Sequence, residues 1–244
     1  MIPYGPLIAR LETVADLSER DKALVARLYD DVRSVNAKRD IISEGERPEF
    51  IHLIVEGWAA RYKELPNGSR QIVAFLIPGD FLDLHTTVLG QMDHSVVALT
   101  RCRVAYIPGA RIDELTSYRD GLTKALWWST LVDEAVLRSW VVNAGRRDAY
   151  QRIAHVLCEM HVRMNMIGLV SSDKFDLPLT QEELADATAL TPVHTNRTLQ
   201  RLRREGLIEL RGGVLTVLDV AKLRDAGGFD PNYLHIKRRL SAPR

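Results

Sequence analysis

Residues 180–205, TQEELADATALTPVHTNRTLQRLRRE, contain two helix starts in quick succession. Thr180 and Glu183 form an S/T-x-x-E capping box, and Leu184 opens an apolar face behind it. Thr191-Pro192 is a second start, a capping hydroxyl followed by proline at the first helical position. Beyond it Thr195, Leu199 and Leu202 recur at helical spacing and are expected to face inward. Val193, Asn196, Arg197, Gln200, Arg201 and Arg204 fall on the opposite side. A short helix crossed by a second one with a polar, arginine-rich outer face is the geometry of a helix-turn-helix. The plain alternative for the stretch is a helical hairpin with a solvated basic face.

The charge of the chain is local, not global. The 244 residues carry a net charge of only +1, yet Pro192 to Arg211 hold five arginines against two glutamates. Phosphate is attracted by local potential, so the near-neutral total does not argue against DNA. Hydrophobic content of 46% and charged content of 27% describe a protein with a sizeable core. The two cysteines, Cys102 and Cys158, make neither a disulfide framework nor a metal-binding spacing, and they suit a reducing compartment. No 18-residue apolar run appears, and MIPYGPLIARLE lacks the features of an export signal, so a cytoplasmic protein with no membrane partner is expected.

Outward from the opening stretch, the period of the sequence changes twice. Residues 1–35 read as a helical preamble, with Ser18 and Asp21 able to cap DKALVARLYDDV. Residues 36–110 are short β-rich runs punctuated by Gly45, Gly57, Asn67-Gly68, Pro78-Gly79-Asp80 and Pro108-Gly109. Asn-Gly there is a hairpin signal, and six to eight strands with no helix between imply an antiparallel jelly roll or barrel. Residues 111–145 return to helix, one short and one of about 23 residues by its 3.6-residue period. On the long helix Leu122, Ala125, Ser129, Val132, Val136 and Trp140 follow a 3-4 alternation, and Leu126, Leu131 and Val141 make a neighbouring stripe. Two apolar stripes want two partners, the β domain and a second copy of the helix; the first stripe is the expected dimer interface. Trp127, Trp128 and Trp140 read as packing residues. A boundary falls at Gly145-Arg146-Arg147-Asp148, where Asp148 can cap the next helix. Three regions result: 1–110, 111–145 and 146–244. After the helix-turn-helix, GLIEL and VLTVLD flank Arg211-Gly212-Gly213 as a two-stranded wing. A short helix and a tail with Lys237-Arg238-Arg239 follow.

The fold class is therefore α+β: an N-terminal antiparallel β-roll, a long helix and a C-terminal winged helix-turn-helix. This order resembles the cyclic-AMP receptor/Fnr (Crp/Fnr) family of transcription regulators over residues 18–218. The resemblance rests on GDFLDL at 79–84, RRDAYQRIAHVL at 146–157 and LTQEELADATALTPVHTNRTLQRLRREGLIEL at 179–210. It implies a homodimer binding a two-fold symmetric DNA site, with RNA polymerase as a further partner. Thr180, Gln181, Thr191 and His194 sit at helix starts, where hydroxyls and free N–H groups meet phosphate. Base reading falls to Val193, Asn196, Arg197 and Gln200; an arginine donates two bonds to a guanine. Arg201, Arg204 and Arg211 are expected on phosphates. Arg197 coincides with the family's third base-contacting position. The two earlier positions, often arginine and glutamate in the cyclic-AMP branch, are Pro192 and Val193 here.

The family's cyclic-nucleotide sites need a glutamate for the ribose and an arginine for the phosphate, followed by a small hydroxyl residue. Here Asp83-Leu84 stands for the Gly-Glu pair and His94 for the arginine, and only Ser95 matches. Leu137 and Arg138 replace the hydroxyl residues that reach the base. The candidate effector pocket, Asp83, His85, His94, Ser95, Leu137 and Arg138, is thus not expected to take cyclic AMP. Residues 1–35 contain no cysteine, which removes the iron–sulfur branch. No cofactor is expected. Haem or another small ligand is the alternative, with His52, His85, His94 and Cys102 available to a haem and His85 and His94 nearest the cassette; the chain would then be a ligand-responsive sensor gating the dimer. No Ser/His/Asp order, metal-ligand spacing or Gly-rich phosphate loop stands out, so the chain is not read as an enzyme.

Overall fold

The structure is a computed structural model that describes residues 5–117 and 121–236. Two short helices, α1 (Gly5–Leu11) and α2 (Glu19–Ala26), lead into the β-roll. Ser18 and Asp21 cap α2 reciprocally, as their spacing implies. Seven strands follow: β1 (Val32–Val35), β2 (Asp40–Ile42), β3 (Phe50–Glu56), β4 (Ala59–Glu64), β5 (Arg70–Leu76), β6 (Ser95–Ala98) and β7 (Cys102–Pro108). The first lies inside the stretch read as a helical preamble. The four-residue α3 (Thr86–Leu89) interrupts them before β6.

The strands form two antiparallel sheets, ordered β1-β7-β3 and β2-β6-β4-β5. Ile54 and Val104 of the first face Ile42, Ala59, Leu76 and Val96 of the second across a dry core. Asn67-Gly68 makes the β4–β5 turn, with Glu64 paired to Arg70 and Gly68 at φ +79°. α4 (Gly109–Thr116) and the long α5 (Gly121–Arg146) lie outside the roll.

α5 corrects the dimer assignment. Leu122, Ala125, Ser129, Val132, Val136 and Trp140 are all buried within their own chain. Leu122 and Ala125 pack with α1 and α4 over the three-stranded sheet. Val132, Val136 and Trp140 pack on Phe75 and Val97 of the other sheet and on Trp58 just before β4, and the Trp140 and Phe75 rings meet edge to face at 5.6 Å. Each such large side chain contributes roughly 1.5–3 kcal/mol when removed from water. Of the second stripe, Leu126 is also buried, whereas Leu131 and Val141 are 55% and 65% exposed and are joined on the outside by Trp127. The stripe expected between two copies therefore packs on its own roll, while Leu131 and Val141 of the other face outward.

α6 (Ala149–Met166) starts at Asp148, which makes a full capping box with Gln151. Then come β8 (Lys174–Asp176), α7 (Gln181–Thr188), α8 (Pro192–Arg204), β9 (Ile208–Arg211), β10 (Val214–Val217) and α9 (Val220–Gly227). The wing is a three-stranded sheet, β8-β10-β9, in which β8 adds to the expected hairpin. Gly212 and Gly213 both have positive φ, as a tight two-residue hairpin turn requires. The Lys237-Arg238-Arg239 cluster lies outside the described residues.

Candidate nucleic-acid interface and sensor cleft

The α7–α8 pair is built by its caps. Thr180 Oγ1 accepts from the Glu183 N–H at 3.2 Å, and Glu183 Oε2 accepts from the Thr180 N–H at 2.7 Å. Thr191 Oγ1 accepts from the His194 N–H at 3.2 Å, with Pro192 in the first turn. Between the helices Ala189 turns the chain in the left-handed region at φ +53°. Thr195, Leu199 and Leu202 are buried, as their spacing implies, and Thr198 joins them by bonding back to the His194 carbonyl at 3.0 Å.

The outer face of α8 is free. Pro192, Val193, His194, Arg197, Gln200, Arg201 and Arg204 are exposed, together with Thr180, Gln181 and Thr191 at the helix starts and Arg211 at the wing tip. Val193 is 66% exposed, an apolar side chain turned to solvent. Asn196 is half-buried and donates to Gln181 Oε1 at 2.9 Å, which fixes both amides across the helix crossing. Arg201 is held differently from its neighbours. Its Nε donates to Glu205 at 2.8 Å and its guanidinium lies 4.1 Å from the centre of the Tyr150 ring. The Tyr150 hydroxyl also bonds Glu205, and with Arg201 it holds that carboxyl below its usual range. Arg203, absent from the sequence-derived set, is half-buried and donates to the Leu210 carbonyl at 2.9 Å, tying α8 to the wing. Arg211 pairs with Glu209 at 2.8 Å.

The β-roll holds this domain from behind. Arg70 donates twice to Asp186 of α7, at 2.9 and 2.7 Å, and Lys38 reaches the buried Glu183. Deeper in, Arg10, Asp80, Arg163 and Glu159 form a run of ion pairs from α1 through the Gly79-Asp80 turn to α6. Glu159 also accepts from Trp140 Nε1 at 3.0 Å and from the Tyr233 hydroxyl at 2.7 Å. Asp133 of α5 joins the edge of the network through Arg10 at 3.2 Å and Arg61 at 3.1 Å. Burial pushes the Asp133 carboxyl up, but Arg61, Arg10 and Arg163 outweigh it and hold it low.

Between the β-roll and α5 runs a cleft of about 490 Å³, lined by His85, His94 and Leu137 and by Arg61, Asp93 and Asp133. Three of the expected pocket residues are elsewhere. Asp83 is fully buried and turned into the roll, where it accepts from the His52 backbone and ring, both at 2.7 Å. Ser95 is buried and accepts from the Glu44 N–H at 2.9 Å. Arg138 points outward and pairs with Glu134 at 3.1 Å. Burial draws the His85 and His94 imidazoles below their ordinary value, helped by Arg61. His52 and Cys102, also named as haem ligands, are committed to the core: the Cys102 thiol donates to the Trp58 carbonyl at 3.2 Å. Cys158 is buried in the core, and burial pushes its thiol up to about 12, so it is a packing residue. The sequence shows no metal-ligand spacing, yet the fold brings His85, Asp93 and His94 together.

A sensor-like β-roll joined by a long helix to a winged helix-turn-helix with a basic outer face defines a DNA-binding regulator. Comparison with known proteins agrees. Residues 32–119 match the family model of the cyclic nucleotide-binding domain, and residues 151–226 that of the Crp-like helix-turn-helix domain. The chain is 30% identical over 204 residues to the transcriptional activator protein FnrL of Cereibacter sphaeroides, covering 81% of each. It is 30% identical over 215 residues to the transcriptional activatory protein AadR of Rhodopseudomonas palustris, covering 86% of each. Its fold matches FixK2 from Bradyrhizobium japonicum with a TM-score of 0.73, at 23% identity over 82% of this chain and 98% of that one. The chain belongs to the Crp/Fnr family of DNA-binding transcription regulators, and it is not an enzyme.

Proposed function

We propose that the protein acts as a homodimer that reads a two-fold symmetric DNA site through α8. The observation that carries this is the free outer face of α8, capped at Thr191 and backed by a complete wing. Arg197 reads a guanine, Val193 contacts a thymine methyl, and Asn196 and Gln200 complete the base-facing row. Thr180, Gln181, Thr191, Pro192, His194, Arg204 and Arg211 line the backbone on either side. Arg201 adds a phosphate contact while remaining braced by Glu205. The exposed stripe Trp127, Leu131 and Val141 supports the dimer, since an apolar row along a 26-residue helix needs a cover. A two-fold axis along α5 sets the two α8 helices about one DNA turn, roughly 34 Å, apart. RNA polymerase is the further partner, and the compartment is the cytoplasm.

The cleft does not suit a cyclic nucleotide. Its two cations are committed, Arg61 to Asp133 and the Phe81 and Leu82 carbonyls, and Lys63 to Glu44 and the Asp93 carbonyl. A phosphate would meet Asp93, Asp133 and Glu134 with no free guanidinium to hold it. Retardation of duplex DNA across a salt series tests the DNA reading. A steep fall in affinity with salt is expected; no retardation at low salt would refute it.

A further inference from the structure

His85, just before α3, and His94, just before β6, carry a feature that the packing of the roll does not use. Their rings lie 5.4 Å apart, tilted by 31°. The Nε2 atom of each is buried and has no hydrogen-bond partner. A buried polar atom left unpaired is costly, so two in one cleft call for an occupant. Asp93 stands beside both, its Oδ1 2.6 Å from His94 Nδ1 and 3.9 Å from His85 Nε2. One ligand atom from each of the three residues lies within 4.8 Å of the others.

We propose that His85, Asp93 and His94 form a binding site for a divalent first-row transition-metal ion at the mouth of the cleft. Two imidazoles and a carboxylate are the donor set of open-sided zinc and ferrous sites. Metal–ligand bonds of about 2.0–2.2 Å separate ligand atoms by roughly 3.3 Å, so side-chain rotations of about 1–1.5 Å close the site. The Asp93 side chain is 82% exposed, which gives an ion a route in from solvent and a charge to draw it. The two imidazoles are neighbours, which suits a chelated ion and not a porphyrin plane held between opposed ligands. Three protein ligands leave positions open toward the cleft, whose far wall is Ser129, Thr130 and Asp133 of α5. An ion there would bridge the roll to the long helix through its remaining ligands.

The site rests on neither the DNA reading nor the dimer, so its test is direct. The metal-free full-length protein is titrated with Co²⁺, followed by visible absorption, and then with competing Zn²⁺. We expect saturation at one ion per chain with the bands of four- or five-coordinate cobalt, bleached by zinc. Binding is lost in His85→Gln and His94→Gln, which keep bulk and neutrality, and in Asp93→Ala; His235→Ala, at an exposed residue away from the site, binds as the parent does. X-ray absorption of the zinc-loaded parent protein supplies a measurement free of folding artefacts and should show two imidazoles per ion. No saturable cobalt absorption, unchanged binding in both histidine variants, or a zinc shell lacking imidazole would overturn the proposal.

Discussion

Asp80 and Arg163 meet in a buried ion pair at 2.6 Å, although 83 residues separate them. Asp80 belongs to the Gly79-Asp80 turn of the β-roll and Arg163 to the first helix of the DNA-binding domain. The pair therefore joins the β-roll to the helix-turn-helix domain directly. Asp80 is also anchored in its own turn, accepting from the Ile77 N–H at 2.9 Å.

Breaking such a pair by removing one partner strands a charge in a dry place. Asp80→Ala or Arg163→Ala should cost about 3–5 kcal/mol in urea unfolding. Because the pair ties two domains, the single transition should also split or broaden. A loss below about 1 kcal/mol would show that the network is solvated and does not couple the domains.

The corrected faces of α5 make opposite predictions for one kind of substitution. Leu131→Glu and Val141→Glu lie outside and should give folded monomers by light scattering. Each loses about 1.5–3 kcal/mol per protomer, and symmetry doubles it, so dimer affinity should fall about 10²–10⁴-fold. Val132→Glu lies inside and should unfold the chain. A dimer that survives both outer substitutions would place the interface elsewhere.

Cyclic AMP and cyclic GMP should give no binding heat up to about 1 mM, a free energy weaker than about −4 kcal/mol. Micromolar binding would mean that Arg61 leaves Asp133 for a phosphate.

His155 gives the fold an acid limit. It is 1% exposed, and burial together with Arg147 lowers its pKa from 6.5 to about 4. A base with a depressed folded pKa binds more protons when unfolded, so stability falls as pH drops through that window. The full loss below pH 4 is roughly 3 kcal/mol from this group. Urea midpoints at pH 7 and pH 4.5 should differ accordingly, and His155→Gln should flatten the difference. An unchanged slope in that variant would assign the acid sensitivity to other groups.

What could be read from the chain was local. Thr180 with Glu183, Thr191-Pro192, the cap at Asp148, and Asn67-Gly68 each act within four residues, so helix starts and turns were legible. The buried row Thr195, Leu199 and Leu202 followed from period alone. What depended on tertiary approach was not legible. Both stripes of α5 are apolar, and only the docking of the helix on the roll decides which one is covered. Asp83 lies next to the cleft in sequence, but its bonds to the His52 backbone and ring hold it inward. Asp80 with Arg163, and His85 with Asp93 and His94, have no characteristic spacing, since the loops around α3 and the docking of α6 bring them together.

The most direct test is selection of bound duplexes from a random pool, run in parallel for the parent protein and Arg197→Ala. The parent should enrich a two-fold symmetric sequence whose half-sites are centred about 10 base pairs apart. Arg197→Ala should lose preference at one guanine of each half-site, a difference of about 1–3 kcal/mol, while still retaining duplexes at low salt. An asymmetric or unenriched pool from the parent protein, or an identical consensus from the variant, would contradict the account.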